Sequence, residues 1–309
     1  MATEPILAVF DVPALPRPRV ARSTLLSDYW ALTKPEVNFL IVITTFSGFY
    51  LGCGAAWHDF PFVRAINAVL GTLLVASGTG TLNQYIERRF DAQMRRTARR
   101  PLAAGRVKPT AVLWFGIVLS VLGSVYLAAA VNVLASLLAM ATLLSYLLFY
   151  TPLKRKTPLC TVVGAFPGAM PPLIGWAAAS GQLNFQAWTL YAVLFLWQFP
   201  HFMAIAWMYR EDYARAGYLV LPPNDSARAR LVNLQTVLPL LALVPLSLLP
   251  GLMGEAKFYF IGALFLGWGF LYYAAQFVLR RSNSAARRLL AASIIYLPSL
   301  FALMMLPIG

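Results

Sequence analysis

The feature that most constrains this chain is a series of apolar stretches, each roughly 20 residues long, the length that crosses a hydrocarbon layer as a helix. Nine follow one another, at 37–53, 65–87, 110–130, 133–150, 160–179, 185–209, 232–249, 258–279 and 289–308. Inside lipid no water is available to bond the backbone, so each stretch must satisfy its own amides as a helix. The predicted fold class is therefore all-α, a polytopic transmembrane bundle of nine helices. Only 12% of the 309 residues are charged and 60% are hydrophobic, which leaves too little polar surface for a soluble domain of this size.

Residues 1–28 carry Pro13, Pro16, Pro18 and scattered charge, without the apolar segment of a secretion signal. They read as a disordered cytoplasmic leader before one transmembrane domain at 29–309. Cys53 and Cys160 fall in or beside apolar blocks, with no metal or disulfide spacing. His58, in the first loop beside Asp59, reads as a solvated loop histidine.

A formal net charge of +14 would point to nucleic acid if it decorated a soluble domain. Here the bases sit in short clusters between apolar blocks, so nucleic acid is not an expected partner and membrane lipid is. The leader and first-helix entry (Arg17, Arg19, Arg22, Lys34) lie on one side with the cluster from Arg88 to Lys108. Lys154–Lys156, Arg210, Arg215, Arg228, Arg230, Arg280, Arg281, Arg287 and Arg288 fall on the same side, for 23 of the 25 basic residues. Only Arg64 and Lys257 lie opposite. The positive-inside rule then puts the N-terminus and these loops in the cytoplasm and the C-terminus across the cell (inner) membrane. That arrangement requires an odd number of spans.

Acidic residues number only eleven. Asn83, Glu87 and Asp91 are spaced i, i+4, i+8 where the second span leaves the membrane, and steps of four residues keep side chains in one stripe. Such a stripe suits a hard cation such as Mg²⁺; equally, it suits a solvated helix end whose acids pair with nearby arginines. Arg88, Arg89, Arg95, Arg96, Arg99 and Arg100 on the same segment favour a metal-bound polyphosphate, whose remaining oxygens guanidinium groups take. A second station, Arg210-Glu211-Asp212-Tyr213-Ala214-Arg215, closes the sixth span, and Tyr150-Thr151-Pro152-Leu153-Lys154-Arg155 ends the fourth. Two acidic stations facing each other would suit two metals around one diphosphate.

Asn83-x-x-x-Glu87-x-x-x-Asp91 with Arg95 and Arg100-Pro101-Leu102 resembles the first motif of the UbiA-type intramembrane prenyltransferases. Leu32-Thr33-Lys34-Pro35, Gly168-Ala169-Met170-Pro171-Pro172 and Trp197-Gln198-Phe199-Pro200-His201-Phe202 resemble the haem-farnesylating branch of that family. The resemblance covers roughly 29–309. It implies a central cavity, Mg²⁺ dependence, farnesyl diphosphate as donor and haem B as acceptor, a substrate and not a cofactor. It assigns Asn83, Glu87 and Asp91 to the first metal motif and Glu211 with Asp212 to the second, with Asp212 joining the first three as catalytic. It assigns Arg95, Arg100, Tyr150, Lys154 and Arg155 to the diphosphate. The family's second motif is usually Asp-x-x-x-Asp, whereas Tyr209 and Tyr213 stand at that spacing here.

The implied reaction joins the haem 2-vinyl group to the farnesyl C1 and adds water. His201, with Gln198 and Trp197 on the same span, becomes a candidate haem contact; a helix–helix hydrogen bond is the competing role for His201. Haem-handling or oxidase-assembly proteins are partners to look for. A related prenyltransferase acting on a phenolic or quinone precursor is the nearest alternative. A secondary transporter would place its polar site at mid-membrane, whereas these carboxylates gather at one surface.

Overall fold

The computed structural model describes residues 24–54, 59–253 and 257–306. Residues 1–23 of the leader expected over 1–28, and His58, lie outside the described residues. A short helix, α1 (Leu25–Leu32), is capped by the Thr24 hydroxyl, which accepts from the Ser27 amide at 3.2 Å. Its Leu32 is fully buried.

Among the described residues nine helices are long and apolar enough to cross a membrane, and there is no strand. They are α2 (Pro35–Cys53), α3 (Phe62–Asp91), α4 (Pro109–Ala130), α5 (Val133–Leu153), α6 (Cys160–Ser180) and α7 (Phe185–Met208). After a short α8 (Arg210–Arg215) come α9 (Asp225–Met253), α10 (Lys257–Arg280) and α11 (Asn283–Met305). The nine expected spans are all present, but several start or end elsewhere. Helix α9 starts at Asp225 because the Asn224 side chain caps it, accepting from the amides of Ser226 and Ala227. Helix α11 likewise starts at a Ser282 cap, so Arg287 and Arg288 lie within it and not in a loop. Apolar length alone does not register such polar first turns.

Large apolar side chains such as Trp114, Leu148, Phe265 and Trp268 point outward. In water that surface would be an aggregation hazard; in lipid it costs nothing. Inside, helix contact is set by shape. Glycines bring α2 and α6 together: a Cβ on Gly175 would collide with the Thr45 carbonyl, and one on Gly48 with the Pro172 carbonyl.

Two helices depart from regularity, and the second departure shapes the cavity described below. The run expected as one helix over 160–179 bends at Ala169 (φ −91°, ψ −3°), where Pro171 and Pro172 supply no amide to the turn before them. In α5, residues Tyr146–Tyr150 form a π turn, with the Thr151 amide donating back to the Tyr146 carbonyl. Pro152 cannot donate to the preceding turn, so the ladder widens there. The result swings Tyr146 and Tyr150 inward.

Helix α3 is the longest at 30 residues, about 45 Å at 1.5 Å per residue, against a hydrocarbon thickness of about 30 Å. That length leaves room for its polar last turns beyond the apolar layer, and there Asn83, Glu87 and Asp91 stay buried inside the protein. The sequence reading ended this span at Glu87; the helix runs on to Asp91.

Candidate active site

The projecting end of α3 builds one wall of a cavity of about 160 Å³. Asn83, Glu87 and Asp91 all face it and are 1%, 6% and 1% exposed. Carboxylates this deep need compensation, and each residue of the stripe has a separate base. Lys34 Nζ donates to Asn83 Oδ1 at 2.8 Å, and Lys154 Nζ to Glu87 Oε1 at 2.9 Å. Arg100 Nη1 donates to Asp91 Oδ2 at 2.7 Å. Within the stripe, Asn83 Nδ2 donates to Glu87 Oε2 at 2.9 Å. Asp91 Oδ1 is buried and makes no hydrogen bond.

Each base is placed by a local device. Pro35 disfavours the right-handed helical region for Lys34, which takes left-handed angles (φ 55°, ψ 61°) between α1 and α2. That conformation costs a residue with a side chain of order 1–3 kcal/mol; the turn aims the ammonium at Asn83. Lys154 leaves α5 after the π turn and lies over the Tyr150 ring, 4.5 Å from its centroid. Gly164 of α6 leaves room for that ring, since a Cβ there would sit 2.5 Å from Tyr150 Cε2. Arg100 is held because the next-but-one residue, Leu102, packs with Leu32, Val107 and Val112. The Thr97 hydroxyl also donates to the Asp91 carbonyl at 2.9 Å, folding the loop back onto α3.

Electrostatically this is an anion site with two acids in it. Lys34, Arg96, Arg100 and Lys154 line it against Glu87 and Asp91. Burial, followed by the charges of Arg100 and Lys154, pulls the Lys34 ammonium down to about 7. Burial also opposes the Lys154 charge, but the Glu87 carboxylate outweighs it and holds Lys154 well above the ordinary lysine value. An incoming polyanion would relieve the crowding among the bases.

The other expected site residues divide. Arg100, Tyr150 and Lys154 line the cavity with the stripe. Arg95 is exposed and outside the lining, and its neighbour Arg96 is in it. Arg155 stacks on Phe90, 4.2 Å from the ring centroid. The Glu211 side chain is 79% exposed and reaches only Arg210, at 3.7 Å. Asp212 is buried but committed: Arg215 Nη1 donates to it at 2.8 Å and the Arg96 amide at 3.2 Å. Trp197 Nε1 donates to the Ser293 carbonyl, His201 Nδ1 meets the Ser293 hydroxyl, and Gln198 Nε2 donates to the Ala165 carbonyl, each at 2.8 Å. Those three bonds tie α7 to α11 and α6; the residues of α7 on the cavity are Phe202, Ile205 and Ala206.

Sequence reasoning did not single out Lys34, Tyr146, Tyr213 and Tyr218 as cavity residues, and it named Arg96 only within the arginine run. Lys-Pro at the entry of the first span was a usable signal for Lys34, since a residue before proline at a helix start marks a fixed turn. Tyr218 lies in an irregular loop and carried none.

Comparison with known proteins fits this geometry. The profile of the UbiA prenyltransferase family matches residues 38–300. The chain belongs to that family. It is a membrane-embedded prenyl transferase by that membership. Its sequence is 47% identical to a protoheme IX farnesyltransferase of Solibacter usitatus, over 90% of this chain and 98% of the relative. It is 44% identical to the protein of that name from Koribacter versatilis, over 95% and 96%. Among solved structures, digeranylgeranylglyceryl phosphate synthase shares the fold at a TM-score of 0.72 and 17% identity, covering 91% of this chain and 97% of that one. A UbiA homologue from Archaeoglobus fulgidus bound to GPP and Mg²⁺ does so at 0.59 and 17% identity, covering 90% and 100%.

Proposed function

We propose that the protein transfers a farnesyl group from farnesyl diphosphate to the 2-vinyl group of haem B with addition of water, giving haem O. The observation that carries the diphosphate half is the buried Asn83–Glu87–Asp91 stripe ringed by Lys34, Lys154 and Arg100. The acceptor half rests on the relatives named protoheme IX farnesyltransferase.

The stripe fits Mg²⁺. Its donors are hard oxygens, and Asp91 Oδ1 is buried with no bond to give up. Among the described residues no cluster of three or more His, Cys, Asp or Glu forms a closed metal cage. Mg²⁺ commonly takes one or two carboxylates and completes its shell with substrate phosphates and water. Asn83, Glu87 and Asp91 would hold it, and it would add positive charge where the leaving diphosphate gains negative charge.

The chain's own residues account for the rest of the chemistry. The farnesyl C1–O bond breaks with its electron pair leaving on the diphosphate. Lys154, Arg100, Lys34 and Arg96 meet that growing charge, and groups that bind the leaving anion better than the ester lower the barrier. The faces of Tyr146 and Tyr150 offer the allylic cation an aromatic surface, while burial keeps bulk water from it. The vinyl π pair then forms a carbon–carbon bond to C1. Water adds to the resulting cation beside the porphyrin and loses a proton.

The cavity's 160 Å³ is below the roughly 300–1,000 Å³ of sites that enclose a whole ligand. It suits the diphosphate end, so the farnesyl chain and the porphyrin approach from the membrane past Phe202, Ile205 and Ala206. Positive-inside charge puts this mouth on the cytoplasmic side of the inner membrane. The test is the product made by purified protein with Mg²⁺, farnesyl diphosphate and haem B. A haem heavier by one farnesyl group plus water is expected; prenylation of a 4-hydroxybenzoate-type phenol with haem left unchanged would refute the acceptor.

A further inference from the structure

One cavity residue sits beside the acidic stripe without a well-formed hydrogen bond of its own. After α8 the chain turns back at Gly217 (φ 71°), and the Tyr218 amide donates to the Tyr213 carbonyl at 2.9 Å. The next amide, of Leu219, donates to the Lys154 carbonyl at 2.7 Å. These bonds strap residues 216–220 across the cytoplasmic end of the cavity and fasten the strap to the residue that neutralises Glu87. The Tyr218 side chain turns inward from the strap. It is 5% exposed and lines the cavity with Glu87, Asp91 and Lys154. Its ring is wedged edge-on between Phe90, at 5.9 Å, and Tyr213, at 6.0 Å.

The Tyr218 hydroxyl is buried and makes no hydrogen bond of good geometry; the acceptor beside it is the Glu87 carboxylate. A buried hydroxyl without a well-formed bond is unfavourable, and such a group in a native protein calls for an explanation. The carboxylate nearest in charge terms, Glu87, already accepts from Lys154 and Asn83. With Glu87 so occupied the hydroxyl is free to serve a further acceptor, and the bases around it select an anionic one.

We propose that Tyr218 is a substrate-binding residue whose hydroxyl donates to an oxygen of the diphosphate, closing the 216–220 strap over the leaving group. The inference rests on the diphosphate site read above but not on the identity of the acceptor. Because the strap hangs from the Lys154 carbonyl, the hydroxyl and the Lys154 ammonium reach the same anion from two neighbouring points of one rigid unit.

The variant Tyr218→Phe keeps the wedged ring and removes only the hydroxyl oxygen. Calorimetric titration of the detergent-purified chain with Mg²⁺ present would use three probes: farnesyl thiodiphosphate, which does not ionise readily, inorganic pyrophosphate, and farnesol. A hydrogen bond to a charged group corresponds to about a tenfold change in Kd. Tyr218→Phe is expected to lose that much for both diphosphates and nothing for farnesol, with an unchanged unfolding midpoint. Equal binding of the diphosphates by wild type and variant overturns the Tyr218 assignment alone. An equal loss for farnesol overturns it too, since only a structural role would touch a ligand without phosphate. Wild-type protein that takes neither diphosphate would overturn both this inference and the diphosphate site.

Discussion

Two stretches of this chain set acids beside arginines at the same membrane surface, and the fold puts them to different use. At the end of α3, Asn83, Glu87 and Asp91 are buried and face a cavity, and each is opposed by a base from a different part of the chain. At α8, the Glu211 side chain is 79% exposed, and Asp212 turns away to bind Arg215 and the amide of Arg96. The first is an open-ended arrangement, since Asp91 still has an unused oxygen and the bases outnumber the acids. The second is closed, with Asp212 already satisfied. Arg96 joins them: its amide is fixed by Asp212, its guanidinium lies over Tyr209 at 5.0 Å, and it lines the cavity. Station two therefore acts as the joint that positions one of station one's bases. What separates a site from a joint is whether oxygen and charge remain unspent after folding.

That contrast is open to attack by mutation. Asp91→Asn keeps the shape and removes the charge that Arg100 answers; farnesyl transfer measured per folded protein should fall about 10³-fold, the scale of losing a main electrostatic group. Lys154→Met leaves Glu87 buried without its ammonium and withdraws charge from the leaving group. Turnover should fall about 10²-fold and the unfolding midpoint should drop, since breaking a buried pair is costly. Asp212→Asn should cost only about tenfold, through a looser Arg96, and should show as a raised KM for farnesyl diphosphate with the Mg²⁺ requirement intact. Glu211→Gln, at the exposed end of the second station, should stay within about twofold of wild type, as surface charges usually do. An Asp212 or Glu211 variant as damaged as Asp91→Asn would erase the distinction between the two stations.

The parts of this arrangement legible in the sequence are those that follow a period. Span length implies nine helices, and the step of four residues puts Asn83, Glu87 and Asp91 on one face. One-sided charge brought the ends of α3, α5 and α7 to one surface. The parts that were not legible lie where periodicity stops. Beyond Asp91 the chain runs in turns, not helix, so nothing in the spacing distinguishes Arg95, which faces out, from Arg96, which faces the cavity. Lys34 was counted as a topology charge because its role depends on a left-handed turn before Pro35. The hydrogen bond of His201 could not be read from the sequence because its partner, Ser293, lies 92 residues away on α11. Tyr218 depends on a strap fastened to the Lys154 carbonyl, a tertiary bond without a local sequence mark.

The most direct test of the central claim is the position of a bound metal. Crystals or frozen grids of the protein with Mn²⁺ in place of Mg²⁺ and farnesyl thiodiphosphate would locate it, by anomalous scattering or by density. The account predicts metal on Asn83, Glu87 and Asp91, with Lys154 and Arg100 transferred from the carboxylates to diphosphate oxygens and Asp212 still bonded to Arg215. Metal seated on Glu211 and Asp212, with Glu87 and Asp91 still paired to Lys154 and Arg100, would contradict it.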